Sequence, residues 1–132
     1  MYLAIGSPGY RLLRVTCMLE EREQPYRIVR AARDSEEMRR HHPSGKGPVL
    51  VDGGMKITDS AAICAYLADK HPEKEMGPKT PAERAHLNAW LFFAQSELEA
   101  PLWNRQKHAS MLPEIERVDV GHEVAPHPVG VD

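Results

Sequence analysis

Residues 2–69 alternate short apolar runs with stretches of helical period, an order that few folds accept. The run at 2–5 is closed by Gly6 and predicts a buried strand. Residues 11–21 follow a helical pattern. Leu12, Val15 and Leu19 share one stripe, Leu13 and Cys17 lie close beside it, and Arg11, Arg14 and Glu21 are placed to face water. Gln24-Pro25 breaks that helix, and residues 26–29 predict a second strand. Asp34-Ser35-Glu36-Glu37 is a helix start with acids in its first turn, and the short helix ends near His42-Pro43. Pro48 then opens an apolar strand, Asp52-Gly53-Gly54 makes a tight hairpin turn, and residues 55–57 return. Thr58-Asp59-Ser60 caps a third helix, which runs through Ala61, Ile63, Cys64 and Leu67 to about Asp69. A βαβ unit followed by ββα builds a small mixed sheet with helices on its faces, so the fold class is α/β.

The pattern changes after residue 72. Residues 73–80, rich in proline, lysine and glycine, predict a linker. Thr80 and Pro81 then suit the cap and first turn of a long helix, in which Leu87, Trp90, Leu91, Ala94 and Leu98 recur at helical spacing. That helix is expected to reach about Met111, with Pro101 a point of kinking, and to form a partial all-α domain over 81–114. Trp90, Leu91, Phe92 and Phe93 are consecutive and point to all sides, so one neighbour cannot bury them all and apolar surface stays exposed. Residues 115–132 have no helical period and are expected to be an irregular tail.

The totals narrow the function. A net charge of -2 with scattered lysine and arginine gives no nucleic-acid footprint. No apolar run approaches the roughly 20 residues of a membrane span. The N-terminus lacks the basic start and long apolar core of a signal peptide, so a cytoplasmic protein is expected. Two cysteines, Cys17 and Cys64, make no disulfide framework and predict two buried thiols in a reducing compartment. The seven histidines form no ligand spacing, and the adjacent His41 and His42 point apart on a helix, so no metal is expected. That leaves Ser7-Pro8-Gly9-Tyr10, which sets a hydroxyl between a strand and a helix. On the residues alone Ser7 is either a helix cap or a chemical group.

Three landmarks now stand in order: Ser7-Pro8-Gly9-Tyr10-Arg11 at a strand-to-helix turn, Gly47-Pro48-Val49-Leu50 at a strand start, and Thr58-Asp59-Ser60-Ala61-Ala62-Ile63 at a helix start. The stretch "HPSGKGPVLVDGGMKITDSAAICAYLADK" resembles the corresponding stretch of bacterial, serine-type cytosolic glutathione S-transferases, and the resemblance runs from residue 1 to about 114. It implies a thioredoxin-like first domain over 1–72 and a C-terminal helical domain cut short. It also implies a catalytic role for Ser7, whose hydroxyl activates the glutathione thiol. Pro48 matches the family's cis-proline, and Val49, after Gly47-Pro48, the residue whose backbone pairs with the cysteinyl part of glutathione. Lys46 matches a contact to the glycyl carboxylate, and Asp59 with Ser60 the pair that holds the γ-glutamyl end.

The positions of a Cys-x-x-Cys redox pair are filled by Ser7 and Tyr10, which excludes dithiol chemistry there. Tyr10 is a departure from the small residue usual in the family. It is either packing or a second hydroxyl near the thiol. Trp103 and His108 are candidates for the electrophile pocket, although Trp103, like Trp90 and Phe92-Phe93, also suits packing. The implied partners are glutathione as co-substrate, a small apolar electrophile and a second copy of the chain. The alternative function is a non-catalytic thioredoxin-like module that dimerises or binds another protein through its exposed helix.

Overall fold

The computed structural model describes residues 1–118. Four strands form one sheet in the order β2-β1-β3-β4: β1 (Tyr2–Gly6), β2 (Tyr26–Arg30), β3 (Val49–Asp52) and β4 (Met55–Thr58). Strand β1 runs parallel to β2 and antiparallel to β3, and β3 is antiparallel to β4. Helix α1 (Leu12–Glu21) joins β1 to β2, α2 (Glu36–His41) lies between β2 and β3, and α3 (Ser60–Lys70) follows β4. The observed order is the βαβ-ββα expected from the sequence.

Two apolar clusters explain why β1 and β3 read as continuous apolar runs rather than alternating ones: both faces of the sheet are covered. On one face Tyr2, Ala4 and Leu50 pack with Leu12, Val15 and Leu19 of α1 and with Ile63 and Leu67 of α3. On the other, Ile5 and Val49 pack with Ala31 and with Met38 of α2. The α1 stripe is thus buried as expected. Leu13, by contrast, is 55% exposed. Cys17 is exposed and Cys64 only half-buried, which corrects the expectation of two buried thiols. Cys17 sits off the stripe that meets the sheet.

The loops are pinned by specific groups. Ser35 caps α2 by accepting from Met38 N at 3.2 Å. Gly45 has φ +68°, and a Cβ there would lie 2.5 Å from Asp34 Oδ1, so only glycine fits where the chain turns toward β3. Asp52, at the end of β3, accepts from Tyr66 Oη at 2.5 Å and pairs with Lys70 Nζ, which ties β3 to α3. The Lys70 and Tyr66 hydrogen bonds hold the Asp52 carboxyl below the usual carboxylate range. Arg22 is fully buried and donates Nη1 to His71 O, linking the C-terminal ends of α1 and α3.

Residues Met1–Arg84 form one compact unit and the residues from Ala85 onward a second. Helix α4 (Pro81–Phe93) begins with Thr80 Oγ1 accepting from Glu83 N at 3.2 Å, the expected cap. As expected, the helical run continues without a break to Met111, with two widened turns along it. A π-helical turn, Ala94–Glu99, precedes α5 (Ala100–Gln106), and a second π-turn, Lys107–Met111, follows it. Pro101, at the start of α5, has no N–H to give and its ring crowds the preceding turn. The wider turn ahead of it, where Ala100 N donates five residues back to Gln95 O, takes up that strain. In this unit Trp90 meets Phe93 edge-to-face at 5.9 Å, yet Trp90 is 70% exposed and Phe92, Leu98 and Leu102 are also exposed. The exposed apolar surface expected from the sequence is present. Of the expected tail, residues 119–132 lie outside the described residues, and Glu114–Glu116 form a short 3-10 turn. Among the described residues no helix is long and apolar enough to cross a membrane.

Candidate functional site

The sheet topology gathers the site. Strands β1, β2 and β4 end, and β3 begins, at the same edge of the sheet, so the segments joined to those ends converge. A Cβ on Gly6 would lie 3.7 Å from Pro48 Cα, and one on Gly47 would lie 3.6 Å from Gly6 Cα. The turn carrying Ser7 is therefore in contact with the Gly47-Pro48 step. That peptide bond is cis, as the resemblance implied for Pro48. Pro48 and Val49 are buried, Lys46 and Gly47 exposed, and Val49 pairs in register with Ile5 and with Thr58, the residue before Asp59.

Ser7 is half-buried, and its hydroxyl donates to Ala31 O at 3.2 Å. It is not a helix cap. The N-cap position of α1 is Arg11, and no side chain caps that helix among the described residues. Tyr10 is 71% exposed in the turn between them, which corrects the packing reading of this residue. Its carbonyl accepts from Leu13 N at 2.9 Å.

Asp59 caps α3, its Oδ1 accepting from Ala61 N at 2.9 Å and Ala62 N at 3.2 Å. It does so at φ 72°, a conformation uncommon for a residue with a side chain. Ser60 is only 2% exposed, and its oxygen accepts from Arg14 Nη1 at 3.3 Å. Cys64, one turn further along α3, directs Sγ to Arg14 O at 3.7 Å. Burial pushes the Cys64 thiol up, with a smaller opposing effect from Arg14.

Seven residues expected at the site, Ser7, Lys46, Gly47, Pro48, Val49, Asp59 and Ser60, thus lie on segments that meet at one end of the sheet. Trp103 and His108 belong to the second unit. Both are half-buried there, and His108 Nδ1 accepts from Val118 N at 3.2 Å. Two contributors were missed. Arg14 reads in the sequence as a water-facing residue, and only its place on the flank of the α1 stripe hints that it reaches α3. The Ala31 carbonyl has no side-chain signature at all. Among the described residues no group of three or more His, Cys, Asp or Glu is placed to hold a metal ion.

A parallel β1-β2 pair, an antiparallel β3-β4 hairpin, helices on both faces and a cis-proline beside the turn after β1 define a thioredoxin-like domain. Residues 4–75, more than half of the chain, match the family model for the glutathione S-transferase N-terminal domain, and the chain belongs to the glutathione S-transferase family. A probable maleylacetoacetate isomerase of Caenorhabditis elegans is 31% identical over 94 residues, 70% of this chain and 44% of that protein. Glutathione S-transferase F10 of Arabidopsis thaliana is 42% identical over 64 residues, 46% of this chain and 29% of that one. Among solved structures, the theta class enzyme of Xanthomonas axonopodis pv. citri with glutathione bound superposes with a TM-score of 0.72 at 25% identity, covering 89% of this chain and 59% of that chain. A glutathione transferase homolog from Sulfitobacter with bound glutathione gives 0.75 at 19% identity, over 86% of this chain and 57% of that chain, a likeness of fold. The chain spans less than half the length of these curated relatives.

Proposed function

We propose that the chain binds glutathione at the sheet end where Ser7, Pro48-Val49 and Asp59-Ser60 converge, and that Ser7 acidifies the glutathione thiol for attack on a small apolar electrophile. The observation that carries this reading is the meeting of those three segments. Glutathione has an ammonium, two carboxylates, peptide groups and a thiol. Asp59 supplies the charge for the ammonium. Ser60 and the first N–H groups of α3 suit the neighbouring carboxylate, because a helix start has donors without acceptors of its own. Lys46 suits the second carboxylate, and backbone at the start of β3 suits a strand-like pairing with the cysteinyl part. The sulfur then falls beside Ser7.

The energetics are sufficient. A thiol with pKa about 8.5 is only about 3% thiolate at neutral pH. Lowering its pKa by about two units takes roughly 2.7 kcal/mol of preference for the anion. A hydrogen bond to a charged group contributes about 1.5–3 kcal/mol. The start of α1 adds about 0.3–1 kcal/mol. The Ser7 proton rests on the neutral Ala31 carbonyl, and a thiolate is the stronger acceptor, so the bond transfers when the ligand arrives. The sulfur attacks the electrophilic carbon, a C–S bond forms, and the leaving group departs or the adduct takes a proton. We assign the protein to the cytoplasm, where two unpaired cysteines persist as thiols. Homodimerisation is part of the same proposal.

The exposed Trp90, Phe92, Leu98 and Leu102 favour a second reading, a non-catalytic module that dimerises or binds a protein. Calorimetric titration of glutathione into the parent, Ser7→Ala and Asp59→Ala proteins separates the two. Binding by the parent, lost in Asp59→Ala, supports the glutathione site. A folded parent that releases no heat leaves only the second reading.

A further inference from the structure

The Arg14–Ser60 hydrogen bond ties α1 to the start of α3 across 46 residues of sequence. We propose that Arg14 is a positioning residue for ligand recognition: it fixes Ser60 as a committed hydrogen-bond donor toward the α-carboxylate of the γ-glutamyl group. The proposal rests on the glutathione reading above. A serine hydroxyl holds one proton and is ambivalent, able to donate or accept. At a helix start it commonly turns that proton onto nearby backbone. Arginine has no such ambivalence, since its guanidinium only donates and stays charged. With Arg14 Nη1 at 3.3 Å, the Ser60 oxygen is used as an acceptor and its proton is left for another group. At 2% exposure, bulk water has almost no access with which to reorient the hydroxyl.

Two further features support this role. Arg14 is held twice by α3, at its side chain by Ser60 and at its carbonyl by Cys64, four residues later on the same helix face. The charges also run in the right order. The γ-glutamyl end carries an ammonium and a carboxylate on one carbon, while Asp59 and the Arg14-supported Ser60 are chain neighbours of opposite preference. An acid meets the ammonium, and a hydroxyl backed by a cation meets the carboxylate.

The test is calorimetry with two ligands. One is glutathione. The other is γ-aminobutyryl-cysteinyl-glycine, which keeps the amine and lacks only the α-carboxylate. Arg14→Met is expected to weaken glutathione about tenfold and to leave the analogue within about twofold. Because Arg14 works through Ser60, adding Arg14→Met to Ser60→Ala should cost nothing beyond Ser60→Ala alone. Arg14→Lys, which keeps a cationic donor, should recover most of the loss, and it carries the test if the Met variant is unfolded by circular dichroism. Equal weakening of both ligands, or additive losses in the double variant, makes Arg14 a structural clamp and overturns the proposal. In that case the parent still binds glutathione. If the parent binds neither ligand, the glutathione reading itself falls and takes this role of Arg14 with it.

Discussion

Asp59 sits at φ 72°, where a residue with a side chain costs about 1–3 kcal/mol. Its two hydrogen bonds to the start of α3 offset part of that cost. A glycine would remove both the strain and the caps. Asp59→Gly should therefore stay within about 1 kcal/mol of the parent in denaturant unfolding, whereas Asp59→Ala, strained and uncapped, should lose about 1–2 kcal/mol more. Both should abolish glutathione heat in the calorimeter. A glycine variant that still binds would remove Asp59 from the site. For Ser7→Ala, binding should persist while the apparent thiol pKa, read from thiolate absorbance against pH, rises by about one to two units. An unchanged pKa would assign thiol activation elsewhere, with the exposed Tyr10 hydroxyl the first group to test. The places of Ser7, Pro48, Asp59 and Ser60 at breaks between elements were legible in the residues, while the roles proposed for them came only through the family resemblance. Arg14 and Ala31 were not legible. A surface arginine looks the same whether or not it reaches another helix, and a backbone carbonyl belongs to every residue.

At the scale of elements, α3 is held to the sheet by burial and by one polar cluster. Ile63 is fully buried between α1 and the sheet, so Ile63→Ala should cost about 2–5 kcal/mol in chemical denaturation. Asp52 gives a pH signature. Its carboxyl titrates lower in the folded protein than the value of about 3.9 expected in an unfolded chain. Its contribution is thus complete above that unfolded value and drains away as pH falls through the lower folded one. Asp52→Asn should remove about 1 kcal/mol at neutral pH and flatten the loss of stability below about pH 4. An acid limb that is unchanged would mean Asp52 contributes nothing through its charge. The strands and first three helices were legible because each has a period that differs from its neighbours'. The π-turns around α5 were not, since one widened turn shifts an apolar stripe too little to alter its apparent period. Only Pro101 marked the place.

Over the whole molecule, the second unit leaves Trp90, Phe92, Leu98 and Leu102 open to water. Sedimentation velocity should detect association that grows with protein concentration, and Trp90→Lys with Leu102→Lys should diminish it. A monomer at all concentrations would contradict that expectation. The run of four large apolar residues at 90–93 announced this surface in the sequence, whereas nothing there says what meets it. The first unit has the opposite character. The two strands that carry the proposed site, β1 ending at Gly6 and β3 starting at Val49, are immediate neighbours in the middle of the sheet, so about 4.8 Å of ladder spacing sets the distance between its two halves. That pitch is cast in peptide groups that any sequence would supply. Substitutions in surrounding side chains can weaken what the mould holds without changing its shape. The proposed ligand would meet backbone already in register, and the amides of β1 and β3 should exchange with deuterium only through global unfolding, whether glutathione is present or absent.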